Sequence, residues 1–365
     1  MKITKTLFTL LLFIIFCFQQ TNAITKCVCQ KLYEITKYTK EGVRFGYINC
    51  KGKVIVEPKF LMVSDFNDGV GVVNIESNIV GEKEDGRPVW GGTDGIVDIR
   101  GNLIVVPDSS IFPYFSEGFA LARIKGKLAY VDKSGNIAIS IPDDVKIYEE
   151  DYGTPEKFPF TDGFAGLYAV GGGYYLVDKQ GNFTRHKEPY YFYDKNGLAV
   201  IELENKYAIV DNKGNYIFGP QDSNINGSNG IYFTVPKDKN EKYKFINSKG
   251  EIIFEAFFDY VGSFSEGLAK VEVNGKWGYI NEQGKLIISA TFDDAEDFSE
   301  GLAAVKIKGK WGFIDKKGRF VIHPKFDAVS YESFDCGLAR VQLNETYGYI
   351  DKKGIWVWKE KVNKN

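Results

Sequence analysis

Short runs of alternating hydrophobic and polar positions dominate the chain. The apolar side chains of Ala303, Val305 and Ile307 are separated by single residues, which is the spacing of a strand with one buried face. Gly309 then marks a tight turn, and the equivalent residues Asn274-Gly275 are a strong signal for a two-residue hairpin. The pattern predicts two antiparallel strands joined by a short hairpin.

The same unit continues into a third strand. Residues 311–314 form the second strand and residues 320–322 the third, with the turn Asp315-Lys-Lys-Gly318 between them. The aspartate can hydrogen-bond the turn backbone, and glycine tolerates the left-handed conformation. Residues 324–337 lead onward and have room for a short fourth strand. We therefore predict an antiparallel meander of three or four strands, without a sustained helical pattern.

This unit recurs along the whole chain. The turn pattern recurs at intervals of 33 to 36 residues with two longer gaps, and it closes on Gly52, Gly101, Gly135, Gly181, Gly214, Gly250, Gly284, Gly318 and Gly354. A second pattern, Phe-Ser-Glu-Gly-Leu-Ala in its clearest copies, centres on Gly69, Gly118, Gly163, Gly197, Gly230, Gly267, Gly301 and Gly337. Such self-similarity is the signature of a repeat protein.

The repeats predict an all-β fold. One meander cannot bury both of its faces, but stacked neighbours can, so residues 24–358 are expected to form a single repeat domain with residues 359–365 as a polar tail. We expect a propeller-like array of about nine antiparallel three- to four-stranded meanders. An open β-solenoid-like array is the alternative, because about 34 residues is short for a propeller blade.

The N-terminus predicts export. Lys2 and Lys5 precede an apolar run at residues 7–18, and Thr21-Asn-Ala23 places small residues at a cleavage site. The apolar run is shorter than the roughly 20 residues of a spanning helix. Residues 1–23 are therefore predicted to be a signal peptide cleaved near Ala23. The mature protein would then be periplasmic, cell-surface or secreted, without a transmembrane span.

An exported chain can form disulfides, and Cys27, Cys29, Cys50 and Cys336 remain after cleavage. Four cysteines allow three sets of pairs. Cys50 and Cys336 lie in the first and eighth full units, which would meet in a closed ring. Cys50–Cys336 is therefore the candidate disulfide, with Cys27 or Cys29 as the alternative partner of either.

Composition argues against several function classes. Lys plus Arg number 46 and Asp plus Glu 48, so no basic excess exists to neutralise nucleic-acid phosphates. No catalytic or nucleotide-binding motif is present. The acidic residues 293–297 lack the spacing of a calcium loop and are interpreted as a solvated turn. We expect a non-enzyme with no catalytic, cofactor or metal site.

The repeats resemble WG repeats, also called KWG repeats. The resemblance rests on Lys276-Trp-Gly-Tyr-Ile-Asn, Lys310-Trp-Gly-Phe-Ile-Asp and the Phe-Ser-Glu-Gly-Leu-Ala segments. It implies a bacterial β-repeat protein of poorly defined role with no catalytic residues to transfer. The structural repeat positions are Trp277, Gly278, Gly284, Trp311, Gly312, Gly318 and Gly354.

Two insertions interrupt the period, at residues 74–92 and at about 140–158. Insertions in repeat proteins become loops, often on one binding face, although neutral drift in exposed turns explains them equally well. The candidate binding residues in these loops are Trp90, Asp143, Asp144, Glu149 and Glu150.

The resulting hypothesis is an exported, non-enzymatic binding or scaffold module. It would recognise a protein or cell-envelope partner through its repeat surface and inserted loops, and we expect it to be a monomer. One alternative is a glycan-binding, lectin-like protein using aromatic side chains. The other is an enzyme with an unrecognised carboxylate site.

Overall fold

The computed structural model describes residues 31–82, 88–143, 145, 158–161, 163–168, 174–186, 196–203, 205–211, 215–228, 230–238, 240–330 and 333–360. Within these ranges the chain forms 33 strands and no helix. The strands make nine separate antiparallel sheets, which we call blades 1–9 in chain order.

The blades have three or four strands each. Blades 1–3 contain β1 (Tyr33–Thr39), β2 (Gly42–Ile48), β3 (Val54–Phe60); β4 (Met62–Val63), β5 (Val70–Glu82), β6 (Pro88–Asp98), β7 (Leu103–Val106); and β8 (Ser109–Ile111), β9 (Phe119–Ile124), β10 (Lys127–Asp132), β11 (Ile137–Ser140). Blades 4–6 contain β12 (Phe164–Tyr168), β13 (Tyr174–Asp178), β14 (Phe183–His186); β15 (Leu198–Leu203), β16 (Lys206–Asp211), β17 (Tyr216–Gln221); and β18 (Ile225–Ser228), β19 (Ile231–Thr234), β20 (Tyr243–Asn247), β21 (Ile252–Ala256). Blades 7–9 contain β22 (Tyr260–Val261), β23 (Leu268–Val273), β24 (Lys276–Asn281), β25 (Leu286–Phe292); β26 (Asp294–Ala295), β27 (Leu302–Ile307), β28 (Lys310–Asp315), β29 (Phe320–Phe326); and β30 (Ala328–Val329), β31 (Leu338–Leu343), β32 (Thr346–Asp351), β33 (Trp356–Lys359).

Each blade is a meander whose strands lie in chain order. The predicted short fourth strand is present in six blades, where it is the two- to four-residue strand that opens the sheet. Turns that follow this strand in blades 2, 7, 8 and 9 line one opening of about 680 Å³, together with Lys31 at the start of blade 1. These turns therefore face the centre of the array, and the last strand of each blade lies at the rim.

One contact is repeated between neighbouring blades. The glycine that ends the Asp/Asn-x-x-Gly turn lies against the last strand of the preceding blade. A Cβ on Gly318 would lie 3.2 Å from Ile288, and one on Gly354 would lie 3.1 Å from Ile322. The blades are thus placed side by side in chain order.

The same contact closes the ring. A Cβ on Gly52 of blade 1 would lie 2.3 Å from the carbonyl oxygen of Val357 in blade 9. Tyr33 and Leu338, from the two ends of the chain, are buried in one hydrophobic cluster. The array is a closed nine-bladed β-propeller, and the open array is excluded.

Aromatic side chains form the core between blades. Tyr279 of blade 7 is fully buried and packs edge-on against Phe298 of blade 8, with ring centroids 4.9 Å apart. Its hydroxyl donates to the carbonyl oxygen of Glu296 at 2.6 Å. Phe313 and Phe334 repeat this packing one blade later, also at 4.9 Å. Each such pair buries large apolar area across an interface.

The glycine of the Trp-Gly pair has a steric role. In blades 1, 7 and 8 the last strand is bulged opposite this glycine: Trp311 pairs with Phe326, whereas Phe313 pairs with Ile322. The bulge brings the backbone so close that a Cβ on Gly312 would lie 2.6 Å from the Ile322 carbonyl oxygen. Only glycine fits there without a backbone shift.

Two middle blades lack this glycine and avoid the close backbone contact in different ways. In blade 6, Lys244 pairs directly with Glu255, so no bulge crosses it. In blade 5, Ala208 replaces the glycine and Gly219 lies across from it, where a Cβ would be 2.7 Å from the Tyr207 carbonyl oxygen. In blade 5 the glycine at the close approach therefore lies in the last strand, β17, and not in β16.

The ring has two different faces. In each blade the first long strand runs from the Phe-Ser-Glu-Gly turn to a hairpin, and the second runs back to the Asp/Asn-x-x-Gly turn. Both motif turns therefore lie on one side of the ring, which we call the motif face. The hairpins, such as residues 274–275 and 308–309, form the opposite hairpin face.

Candidate functional site

The acidic residues of the motif face join neighbouring blades. Glu266 of blade 7 accepts a hydrogen bond from the Gly301 amide of blade 8 at 3.0 Å and pairs with Lys316 of the same blade at 3.1 Å. Lys316 also donates to the Glu266 carbonyl oxygen at 2.9 Å. Lys316 is the second residue of the Asp/Asn-x-x-Gly turn, so both motif turns take part in one contact.

This acid–lysine contact occurs at four interfaces. Its acid is Asp68, Glu117, Glu266 or Glu300; its amide is that of Gly118, Gly163, Gly301 or Gly337; and its lysine is Lys133, Lys179, Lys316 or Lys352. The serine of the motif adds a second bond, because Ser265 donates to the Phe298 carbonyl oxygen at 2.6 Å and Ser299 to that of Phe334 at 2.5 Å. The polar residues of the repeat are thus structural.

Replacing Glu266 by alanine tests this role. We expect the free energy of unfolding to fall by about 1–2 kcal/mol, since the Gly301 amide loses a charged acceptor and the exposed ion pair contributes little by itself. Urea unfolding measures the change. Glu282→Ala, at an exposed turn position of the same blade, is the control and should leave stability unaltered; equal losses in the two variants would contradict the assignment.

The ring closure departs from this contact. Compared with the four interfaces that carry the contact, Cys336 stands at the position of the acid, Cys50 at that of the lysine, and Lys31 at that of the glycine. Lys31 pairs instead with Asp335. The hydroxyl of Tyr33 lies 2.9 Å from the carbonyl oxygens of Asp335 and Cys336 and can donate to either.

The predicted Cys50–Cys336 disulfide is wrong. Both residues pack against the cluster at the closure, but Cys50 belongs to another disulfide and Cys336 keeps its thiol. The sulfur bonded to Cys50 lies outside the described residues, as do the alternative partners Cys27 and Cys29. Proximity of the chain ends is therefore right, but it does not decide the pairing.

Among the described residues, Glu300, Asp335 and Cys336 form a group whose ligand atoms lie within 4.8 Å of one another. Glu300 is engaged with Gly337 and Lys352, and Asp335 with Lys31. These bonds assign the two carboxylates to blade interfaces.

The first insertion extends a hairpin on the opposite face. β5 and β6 have 13 and 11 residues, compared with six in each of the equivalent β23 and β24. Beyond Asn74 and Asp94, the described strands pair only with each other, as in Glu76 with Thr93. At about 3.3 Å per residue, this two-stranded ribbon adds roughly 20 Å.

The other insertion leaves the same face. β11 is the last strand of blade 3 and ends at Ser140 on the hairpin face, where residues 140–158 begin. Asp143 is exposed. Asp144, Glu149 and Glu150 lie outside the described residues, and Trp90 is placed only as a strand residue paired with Ile79.

Blade 6 carries a third departure, which sequence reasoning missed. Residues 235–242 join β19 to β20 in place of a two-residue hairpin. Together with the start of blade 7 they enclose a cavity of about 510 Å³. A signal was present in the sequence, because Pro236-Lys-Asp-Lys-Asn-Glu241 replaces a short turn.

The repeat residues match a known family. A sequence model of the WG containing repeat matches residues 45–78, 245–277, 277–311 and 311–347. The chain therefore contains WG repeats at these four positions. The matches at residues 277–311 and 311–347 run from one Trp position to the next, so each of these units supplies two strands to one blade and the opening strands to the following blade. Trp311 is buried and Trp277 is half-buried, in keeping with a structural role.

No curated protein matches the WG-repeat protein in sequence. Among solved structures it is similar to BamB from Moraxella catarrhalis, with 8% identity, 75% of this chain and 97% of that chain covered, and a TM-score of 0.38. It is similar to the Dos1 propeller with 12% identity, 80% and 93% covered, and a TM-score of 0.41. A eukaryotic initiation factor has 10% identity, 80% and 84% covered, and a TM-score of 0.44.

Nowhere in the described part of the WG-repeat protein is there a helix of the length and apolar character needed to cross a bilayer.

Proposed function

We propose that this WG-repeat protein is an exported, non-catalytic binding module, acting as a monomer, that recognises a protein partner through its hairpin face. The observation that supports this proposal is where the chain departs from the regular repeat. The β5–β6 ribbon and the loop at residues 235–242 depart from the regular fold on that face, and the second insertion begins there, where β11 ends at Ser140. The motif face is occupied by contacts between blades.

The ribbon suits a protein partner. Its described backbone beyond Asn74 and Asp94 pairs with no third strand, so its outer edges offer amide and carbonyl groups. An extended peptide can add to such an edge through main-chain hydrogen bonds. Export is supported by the charged, apolar and small-residue segments of residues 1–23, and the partner would then be in the cell envelope or outside the cell.

An enzyme would need a buried carboxylate that is available to a substrate, but the most buried carboxylate in the described part of the chain stabilises the fold. Asp94 is the most buried carboxylate among the described residues, at 6% exposed. It accepts hydrogen bonds from the Ile111 amide and the Asn74 side chain, each at 2.7 Å, while burial raises its pKa. Because Ile111 belongs to blade 3, Asp94 ties two blades together.

Site-specific photo-crosslinking tests the proposal. A benzophenone side chain in place of exposed Glu76 on the ribbon should give a discrete protein adduct in cells that express the protein. The same group in place of exposed Lys317 on the motif face should give none. Equal adducts from the two positions, or an adduct that contains glycan and no protein, would contradict the proposal.

A shortened ribbon provides the matched control. Replacing residues 76–92 by Asn-Gly copies the hairpin of blade 7, because Asn74 opposite Asp94 corresponds to Glu272 opposite Trp277. A benzophenone in place of exposed Asp143 should also give a protein adduct when the ribbon is intact. In the shortened variant we expect this adduct to be lost at an unchanged melting temperature, because the ribbon lies outside the blade. Persistence of the adduct in this variant would place recognition away from the ribbon.

A further inference from the structure

An ion pair crosses the hairpin face at two neighbouring interfaces. Lys276 of blade 7 pairs with Asp293, which precedes β26 of blade 8, at 2.6 Å. Lys310 and Asp327 form the same pair between blades 8 and 9. In each case the lysine begins the second long strand, and the aspartate begins the next blade.

The equivalent pair is not formed between blades 6 and 7. Lys242 and Asp259 occupy the two positions, but the Lys242 ammonium lies 5.4 Å from the ring centroid of Phe257. Asp259 accepts a hydrogen bond from the Asn274 amide at 2.5 Å, and none of the described cations lies within ion-pair distance of it. The carboxylate therefore keeps acceptor capacity facing the interface.

The long loop of blade 6 forms a wall of the resulting cavity, which has a volume of about 510 Å³. Asp238 and Glu241 of this loop line it together with Asp259, and the aromatic lining comes from Tyr243, Phe257 and Phe258. Among the described residues that line the cavity, none is basic. The described lining thus carries three carboxylates and no cationic side chain.

Tyr243 supplies an independent sign of a ligand. It stands at the Trp position of its WG unit and is more than nine-tenths buried, with 7% of its surface exposed. No described residue hydrogen-bonds its hydroxyl. Burial raises the pKa of this phenol, with smaller contributions from Tyr260 and Asp259. A neutral hydroxyl beside a carboxylate is left open to whatever enters the cavity.

These groups match a flat cation. Carboxylates bind a guanidinium through paired, charge-assisted hydrogen bonds, and aromatic rings attract its face. Lys242 over Phe257 already shows that this ring accepts a cation. Phe257 is 58% exposed, so a side chain can reach it from solvent. The volume lies within the range of small-molecule pockets and holds more than one side-chain head group.

We propose that the cavity between blades 6 and 7 binds an arginine side chain presented by the partner protein. The inference rests on the proposed function, since it names one contact on the hairpin face. We propose arginine and not lysine because a guanidinium can stack on an aromatic ring and donate two parallel hydrogen bonds to a carboxylate.

Peptide titration tests the inference on the full mature chain. The probe is an acetylated and amidated Gly-Arg-Gly peptide, and its citrulline analogue keeps the shape but removes the charge. By NMR we expect saturable binding of the arginine peptide with shifts around Asn274 and Phe258. Binding of the citrulline peptide should be at least about tenfold weaker, which is the loss of one charge-assisted contact.

Two aspartate variants are the matched pair. Asp259→Asn should weaken the arginine peptide about tenfold or more, whereas Asp293→Asn, at the equivalent and ion-paired position, should leave its affinity unchanged. Tyr243→Phe should weaken it by a smaller factor. Melting temperatures show that each variant is folded.

Three outcomes would overturn the inference: equal binding of the citrulline peptide, equal losses in Asp259→Asn and Asp293→Asn, or no saturable binding at millimolar peptide. The proposed function is judged separately by the crosslink from the ribbon. A ribbon adduct without peptide binding would contradict only the arginine pocket. Peptide binding without a ribbon adduct would contradict only the role of the ribbon in recognition.

Discussion

Gly312→Ala is expected to lower the free energy of unfolding by about 3 kcal/mol, because a bulged strand passes directly over this residue. The added Cβ would lie 2.6 Å from the Ile322 carbonyl oxygen and 2.7 Å from the Pro324 nitrogen. Both are backbone atoms of β29, so no side-chain rotation relieves the contact. Either β29 moves, or its hydrogen bonds to β28 are lost.

Gly309→Ala is the matched control in the same blade. Gly309 has a φ of 77°, and nothing lies within 4 Å of its added Cβ. Alanine there costs only the left-handed conformation, about 1 kcal/mol. Urea unfolding of the two variants separates steric from conformational cost. A loss at Gly312 no larger than that at Gly309 would show that the bulge does not enforce the glycine.

Tyr33→Ala is expected to open the ring at its closure. Tyr33 is 5% exposed, and its ring lies 5.3 Å from that of Tyr349 in blade 9. Removing it deletes a buried aromatic ring and its hydroxyl bond to blade 9, a loss of about 3–5 kcal/mol. Hydrogen exchange should accelerate most in β1, β31 and β32 and least in β16, which lies across the ring.

The hydroxyl and the ring can be separated at this position. Tyr33→Phe removes only the hydrogen bond and should cost about 1 kcal/mol, which keeps the test usable if the alanine variant does not fold. Tyr216→Ala, at a side chain that is 54% exposed, should change stability by less than about 0.5 kcal/mol. Exchange that accelerates uniformly in Tyr33→Ala would mean that the closure has no local stability of its own.

The fold could be predicted from the sequence because its signals are local. A strand is predicted by the alternation from Ala303 to Ile307 alone, and turns are predicted by Gly309 and by the segment that ends at Gly318. The same signals recur in the other units, which strengthens each prediction. The predicted strand of residues 320–322 is longer in the structure, Phe320–Phe326, because the bulge past Gly312 keeps it paired beyond the apolar triplet.

Contacts between units were harder to predict. Glu266 and Lys316 are 50 residues apart, and each alone resembles a solvated surface charge. The closure brings Cys50 and Cys336 to one cluster, but a disulfide depends on side-chain geometry that spacing does not contain. At the cavity between blades 6 and 7, Lys242 lies over the Phe257 ring and does not pair with Asp259. Both residues stand at the same repeat positions as the ion pairs of the next two interfaces, so the repeat pattern does not predict this difference.

The acid–lysine contact has a direction: at each of the four interfaces where it forms, the acid of one blade bonds the glycine amide and the lysine of the following blade. A duplication of blade 8 would carry Glu300 for the next blade and Gly301 and Lys316 for the previous one, so it would enter between blades 8 and 9 without leaving these charges unmatched. The closure cannot be copied in this way, because Lys31 pairs with Asp335, and the Tyr33 hydroxyl bonds the backbone of Asp335 and Cys336, in place of the acid–lysine contact. Blade 9 therefore does not offer an ordinary unit the partner that it needs. We therefore expect the closure to accept no additional unit and to keep the end of one molecule from continuing into the beginning of another.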